Sequence, residues 1–325
     1  MIFFSRLVRP LAGCIALAFV CFAAGTSLAA APQVKTQAPG YYRMMLGDFE
    51  VTVLCDGSLG LPPSQLFGNV SPERMQKFLG DAFLSEPVET SVNAFLINTG
   101  SRLVLIDTGT GGLFGPKLGF LIDSLKAAGY QPEQIDEIYI THMHGDHIGG
   151  LMSGDKMAFP NAVVRADQHD ADHWTSKANL DAAPEQMKSS FLGVMKAIGA
   201  YTAAGKFKPF NGDAQLVPGI KAVAAYGHTV GHTIYVVESG GQKLVLWGDL
   251  MHVAAVQFPD PSAYVKFDTD TKAAVAQREK AFADAAANGY WVGAAHLSFP
   301  GIGHLRSNTG GSGYIFVPIN YSSLR

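Results

Sequence analysis

The sequence predicts an α/β fold, and three observations point there. Apolar runs with strand spacing alternate with amphipathic, helix-spaced runs along most of the chain. The densest group of ligand-type residues, Thr141-His142-Met143-His144-Gly145-Asp146-His147-Ile148-Gly149-Gly150, directly follows the apolar run Ile138-Tyr139-Ile140. That is the position of a loop at the end of a buried sheet strand, where open α/β sheets place ligands. The composition, 48% hydrophobic and 16% charged over 325 residues, is that of an ordinary globular protein.

The elements follow in order. Residues 1–30 are expected to be a signal peptide rather than part of the fold. Arg6 and Arg9 precede an apolar run over 11–22, and Ser27-Leu28-Ala29-Ala30-Ala31 offers an Ala-x-Ala-like cleavage site. Leu11-Ala12-Gly13-Cys14 resembles a lipoprotein box, but the apolar run follows Cys14 instead of preceding it. The run is also short for a membrane span of roughly 20 residues. Cleavage would export the protein to the periplasm or the medium and would remove Cys14 and Cys21. Cys55 is then left as a lone, buried thiol with no disulfide partner. Residues 33–40 read as a polar lead-in. Residues 49–54 alternate as a strand, and Asp56-Gly57 reads as a turn. Ser71-Pro72-Glu73 opens a helix to about 79, with Ser as N-cap and Pro at the first position. Strands are expected over 92–97 and 102–106, paired around Asn98-Thr99-Gly100, and a helix over 117–128 ending at Gly129. Then come a strand over 136–141, the histidine loop and a short strand over 162–165. Helices over 167–174 and 184–198 precede strands over 220–225, 234–238 and 243–247. A long Ala-rich helix over 271–287 leads to a last core strand over 290–295, and 314–318 adds an edge. There is no repeat and no linker.

Three histidines and one aspartate fall within residues 142–147. His142 and His144 alternate by two and face the same way while the chain is extended. Asp146 and His147 follow the Gly145 turn and face elsewhere. This geometry suits two adjacent metal ions. Further ligand types recur at His228 and His232, Asp249, His252, His296 and His304. His169 and His173 share a helix face at i, i+4 and read as a surface pair.

His-x-His-x-Asp-His after a strand resembles the signature of the metallo-β-lactamase superfamily, and the resemblance extends over most of the chain beyond the leader. Asp107, ending Leu103-Val104-Leu105-Ile106-Asp107-Thr108-Gly109, resembles the strand-ending Asp-x-Gly that supports the metal loop. Gly227-His228-Thr229-Val230-Gly231-His232-Thr233 resembles the second ligand loop, Gly248-Asp249 the bridging-carboxylate loop, and His296 the last ligand. The resemblance implies a four-layer αββα sandwich, with 31–325 as a single hydrolase domain. It also implies a dinuclear centre. His142, His144 and His228 would hold one ion, Asp146, His147 and His296 the other, and Asp249 both, with a bridging hydroxide as nucleophile. Two divalent ions are expected: zinc first, with manganese, cobalt or iron as alternatives. His228 is preferred to His232, which would support the loop, and His296 to His304. The flavodiiron branch carries Glu where this chain has His144, which argues against redox chemistry.

The branch holding exported lactonases and methyl parathion hydrolase is the nearest in pattern. Gly248-Asp249-Leu250, the run from Val253 to Phe258, and the run from His296 to His304 carry that likeness. It implies an aromatic pocket, to which Phe114, Trp174, Phe191 and Phe267 would contribute. His252, three residues past Asp249, is expected near the mouth, donating to a leaving oxygen or positioning a substrate, or else serving structure alone. The substrates implied are neutral lactones or aryl esters, with phosphotriester hydrolysis as a side or main activity. An exported β-lactamase is the alternative enzyme, and a non-catalytic metal-binding protein the alternative of another class. The formal net charge of −3 gives no footprint for nucleic acid. A homodimer is left open.

Overall fold

The computed structural model describes residues 1–3 and 31–324, so Cys14, Cys21 and nearly all of the expected leader lie outside the described residues. The chain divides into 1–37 and 38–325, and the described residues of the first unit form no helix or strand. No helix of the described residues is long and apolar enough to cross a membrane.

The second unit opens with the hairpin of β1 (Tyr41–Leu46) and β2 (Phe49–Leu61). The first strand was not evident in the sequence, although it buries alternate residues. Asp56-Gly57 is not a turn. The second strand runs through it with a register shift between Cys55 and Gly57, a bulge that bends the strand without ending it. Cys55 sits beside this bulge and is only half-buried, not sealed in the core. Next come α1 (Pro63–Leu66) and α2 (Pro72–Asp81). The Ser71 hydroxyl caps the latter by accepting from the Arg74 N–H. β3 (Val88–Asn98) and β4 (Leu103–Ile106) pair antiparallel. The next helix, α3 (Leu121–Ala127), starts later than its amphipathic pattern suggests. The buried Asp56 carboxylate takes the backbone N–H groups of Thr110, Gly119 and Leu121 and so holds 117–120 as loop. β5 (Glu137–Tyr139) leads through the histidine loop into α4 (Gly145–Ile148). A small hairpin, β6 (Met152–Ser153) with β7 (Lys156–Met157), precedes β8 (Val163–Arg165). α5 (Gln168–Trp174), α6 (Lys177–Ala182) and α7 (Glu185–Ala203) follow.

The second half carries β9 (Ala214–Val217), β10 (Ile220–Ala224), β11 (Thr233–Ser239) and β12 (Gln242–Leu246). After α8 (Ala254–Gln257) and α9 (Thr271–Asn288) come β13 (Trp291–Gly293), β14 (Ile302–Ser307) and β15 (Tyr314–Pro318). The long helix ends where Gly289 turns left-handed. The strand over 302–307 was not foreseen.

Besides the β6–β7 hairpin, the described residues form two large sheets, ordered β1-β2-β3-β4-β5-β8 and β15-β14-β13-β12-β11-β10-β9. Val51, Val53, Phe95 and Ile97 from the first meet Tyr235, Val237, Leu244 and Leu246 from the second. Each such side chain contributes roughly 1.5–3 kcal/mol when fully buried. The opposite face of the first sheet is covered by residues of α3, α5 and α7, and that of the second by Phe282 and Ala285 of α9. These are the four layers of an αββα sandwich. β4 runs parallel to β5, and β12 to β13. Their carboxyl ends therefore deliver residue 107, residues 141–147, residues 247–252 and residues 294–297 to the same edge of the sandwich.

Candidate metal centre

The loop after β5 is shaped by Asp107. This residue adopts φ +61°, a left-handed conformation that Asp tolerates better than most side chains. Its carboxylate accepts from Thr141 N and Thr141 Oγ1, both at 2.8 Å, and lies 2.9 Å from His147 Nδ1. The ring of His147 is thereby fixed with Nε2 facing inward. Other rings are held the same way from behind. His228 Nδ1 lies 2.8 Å from Asp268 Oδ1, His296 Nδ1 donates to Ser91 O at 3.1 Å, and His142 Nδ1 lies 3.1 Å from Thr141 Oγ1. An imidazole whose outer nitrogen is so engaged presents the other as a ligand of fixed direction.

Two clusters result. In the first, His142 Nε2 and His228 Nε2 lie 2.9 and 3.1 Å from His144 Nδ1, and 3.6 and 3.4 Å from Asp249 Oδ2. In the second, His147 Nε2 and His296 Nε2 lie 3.6 and 3.4 Å from Asp146 Oδ2, and both lie 3.2 Å from Asp249 Oδ1. A tetrahedron of N and O ligands roughly 2.0–2.1 Å from an ion has edges of about 3.3 Å. Both clusters match that spacing, and Asp249 offers one oxygen to each. His147 Nε2 and Asp249 Oδ1 are buried with no hydrogen-bond partner, an arrangement that an ion between them would resolve. The residues present thus fit two metal ions.

The electrostatics agree. Burial opposes charge on Asp249, yet His147, His296 and His142 hold its carboxyl well below the usual range. Burial likewise opposes a proton on His296, but Asp249 and Asp146 hold its pKa at about 10. Burial, reinforced by His228, pushes His144 down to about 3. The carboxylates are therefore ionised, and their charge is balanced by the imidazoles packed against them until a cation takes the place of the protons.

The profile of the metallo-beta-lactamase superfamily matches residues 87–290. The chain belongs to this superfamily. Like the superfamily hydrolases that it resembles, it is a metal-dependent hydrolase. A solved hydrolase, AbOPH, described as in the beta lactamase superfamily, is 36% identical with a TM-score of 0.83, over 89% of this chain and 100% of its own. AidC, a dizinc quorum-quenching lactonase in complex with a product N-hexnoyl-L-homoserine, is 27% identical with a TM-score of 0.81, over 87% and 99%. An N-acyl homoserine lactonase from Bacillus sp is 26% identical over 204 residues, 57% of this chain and 73% of that protein.

Within this superfamily frame the remaining predicted residues take clear places. His232 is fully buried. Its Nδ1 donates to Ala225 O at 3.2 Å and its Nε2 accepts the Asp249 N–H at 3.0 Å, so no lone pair is left for a metal. Gly248, at φ +53°, makes that approach possible, since a Cβ there would lie 2.9 Å from His232 Nε2. His304 lies on β14 with its ring on Trp291. His169 is tied to Asp167, and His173 packs on Trp174 and Phe191. His252 is buried with Nε2 3.2 Å from Asp249 Oδ2, between the rings of His228, His296 and Phe267. Among the aromatics, Phe267 is half-open and edges onto His144, His228 and His252. Trp174 is 4% exposed, edge-on to His144 at 5.6 Å and tilted on Phe191 at 4.6 Å. Phe191 thus backs Trp174 in the core. Exposed Phe114 lies over Gly145, where a Cβ would meet its ring at 3.2 Å.

Sequence reasoning missed Asp268, Gln257 and Arg278. The Gln257 side-chain oxygen accepts from the N–H of His252 and of Val253. Buried Arg278 donates to Leu250 O and Ala263 O, fixing the chain on both sides of His252. Gln257 lies in the run from Val253 to Phe258 that carries the family likeness, but its role was not read there; Asp268 and Arg278 are isolated polar residues that no local motif marks.

Proposed function

We propose that the protein is an exported dinuclear hydrolase of neutral lactones, N-acyl homoserine lactones first, with aryl esters and phosphotriesters as further substrates. The paired ligand clusters sharing Asp249 carry this reading, and the lactonase relatives support the choice of substrate. His142, His144, His228 and Asp249 would hold one ion, and Asp146, His147, His296 and Asp249 the other. Two such ions, most readily zinc, would supply a water activated at neutral pH and Lewis-acid polarisation of a carbonyl. The chain itself supplies orientation and exclusion of water. Trp174 and Phe267 flank the histidines with apolar surface that suits an uncharged acyl or aryl group. His252 stands beside Asp249, with Nε2 3.2 Å from its Oδ2; burial lowers its pKa to about 4, so it would act as a neutral imidazole that donates a hydrogen bond to a departing alkoxide.

The test is a hydrolysis panel on zinc-replete and chelator-treated protein. It comprises N-hexanoyl homoserine lactone, p-nitrophenyl acetate, a paraoxon-type triester and a cephalosporin. The lactone should turn over fastest, and chelator should abolish all turnover. Preference for the cephalosporin would favour the β-lactamase alternative. Zinc binding without turnover of any substrate would favour a non-catalytic metal-binding protein. Export is tested separately by fractionating cells and reading the mature N-terminus, expected near 31.

A further inference from the structure

Asp170 is a buried carboxylate that none of the roles above absorbs. It lies in α5, and its bonds run to two loops that are distant in sequence. Oδ2 accepts from Met143 N at 2.9 Å and from Thr229 Oγ1 at 3.0 Å, and Oδ1 accepts from Gly231 N at 2.7 Å. Met143 lies between His142 and His144. Thr229 directly follows His228, and Gly231 lies three residues after it. One carboxylate therefore clamps both loops that supply the histidines of the first cluster. The backbone is built for this contact, because a Cβ on Gly231 would fall 2.5 Å from Asp170 N and 2.9 Å from Asp170 Cβ. Asp146, His147 and His296 of the second cluster are held by other means, the last two through Asp107 and Ser91.

We infer that Asp170 is a positioning residue that sets the metal affinity of the first cluster and leaves the second alone. The inference rests on the dinuclear reading above. Its physical basis is the geometry of three donors converging on one acceptor pair. An amide in place of the carboxylate keeps the shape but has only one acceptor oxygen. With that oxygen toward Met143, the NH2 faces the Gly231 N–H. With the amide turned over, it faces the Met143 N–H. Either way one buried backbone donor loses its acceptor, and one histidine loop shifts. Loss of a hydrogen-bonding partner behind metal ligands typically weakens binding about 10–100-fold.

The experiment titrates metal-free protein with zinc against a chromogenic chelator and counts bound ions by elemental analysis. Wild type should bind two per chain. Asp170→Asn should weaken one site about 10–100-fold and leave the other unchanged. The affected site is located in two backgrounds. With His296→Ala, Asp170→Asn should remove the remaining tight zinc, whereas with His228→Ala it should not. Thr229→Val removes one donor without touching the backbone. It should weaken the same site by a smaller factor, so the inference stays testable if Asp170→Asn folds poorly. Equal weakening of both sites, weakening of the second alone, or unchanged affinity in the folded variants would overturn it. Wild-type protein that takes up no zinc would overturn the dinuclear reading and this inference together.

Discussion

Replacing Trp174 tests how far a pocket wall is also a structural member. The side chain is 4% exposed and packs in the helix-side core with Phe191 and Val194, while its ring edge meets His144. An indole buries up to about 250 Å². At roughly 25 cal/mol per Å² this gives a ceiling near 6 kcal/mol. Truncations of buried aromatic residues cost about 3–5 kcal/mol, and Trp174→Ala is expected in that range. Trp174→Phe should behave differently. It keeps a ring against Phe191 and His144 and removes Nε1, which is buried without a hydrogen-bond partner. An orphaned donor costs about 1–3 kcal/mol, which offsets the lost volume, so the Phe variant should stay within about 1 kcal/mol of wild type. Urea denaturation of metal-free protein measures both. Thermal melts should follow at roughly 2–4 °C per kcal/mol. KM for aryl and long-acyl substrates should rise in the Ala variant more than for a small aliphatic lactone. An Ala variant that loses under about 1 kcal/mol, or a Phe variant as unstable as the Ala variant, would refute the reasoning.

Three further outcomes are expected. Asp249→Ala should cost more activity and metal than loss of any one histidine, because both clusters use it; two retained ions with near-native turnover would exclude the shared role. His228→Ala should abolish activity and lower metal content, whereas His232→Ala should reduce activity only about 10–100-fold by leaving the Asp249 N–H without its acceptor; the reverse order would show that the two have exchanged roles. Metal uptake should release protons. The carboxylates raise the pKa of His147 and His296, the latter to about 10, so both carry protons at neutral pH when no metal is bound. A metal ion must displace those protons, so affinity should increase with pH up to about 10 and fall on acidification. Calorimetry in buffers of different ionisation enthalpy reads the protons directly, and a buffer-independent enthalpy would contradict this.

Much of the site was legible because its residues are local in sequence or follow strand ends. His142, His144, Asp146 and His147 lie in one loop, and the alternation across Gly145 already separates them into two pairs. Asp249 and His296 follow apolar strands that the pattern of alternation locates. The preference for His228 over His232 came from the family resemblance alone; its physical reason, hydrogen-bond partners 7 and 17 residues from His232, is supplied by no spacing rule. Asp268 and Asp170 were invisible for the same reason, since a lone aspartate in a polar stretch looks solvated until its donors are known. In the fold, the strands at 41–46 and 302–307 escaped notice because each begins beside glycine or proline. The missing first turn of the helix over 117–128 was lost to Asp56, whose bonds to Gly119 and Leu121 span 63 and 65 residues.

The division of ligands between the two sheets has a mechanical consequence. His144 and His228 face each other across 84 residues of chain, one following β5 of the first sheet and the other lying between β10 and β11 of the second. An ion held between them would act as a removable cross-link, closing a long loop much as a disulfide does. Without it, the two halves keep the packing between the sheets and hydrogen bonds such as Thr233 N–H to Thr141 O and Gly231 N–H to Asp170 Oδ1, but lose what the cross-link adds. The lifetime of the folded enzyme would then follow the metal supply of its surroundings, with starved molecules the first to open and to be cleared by proteolysis.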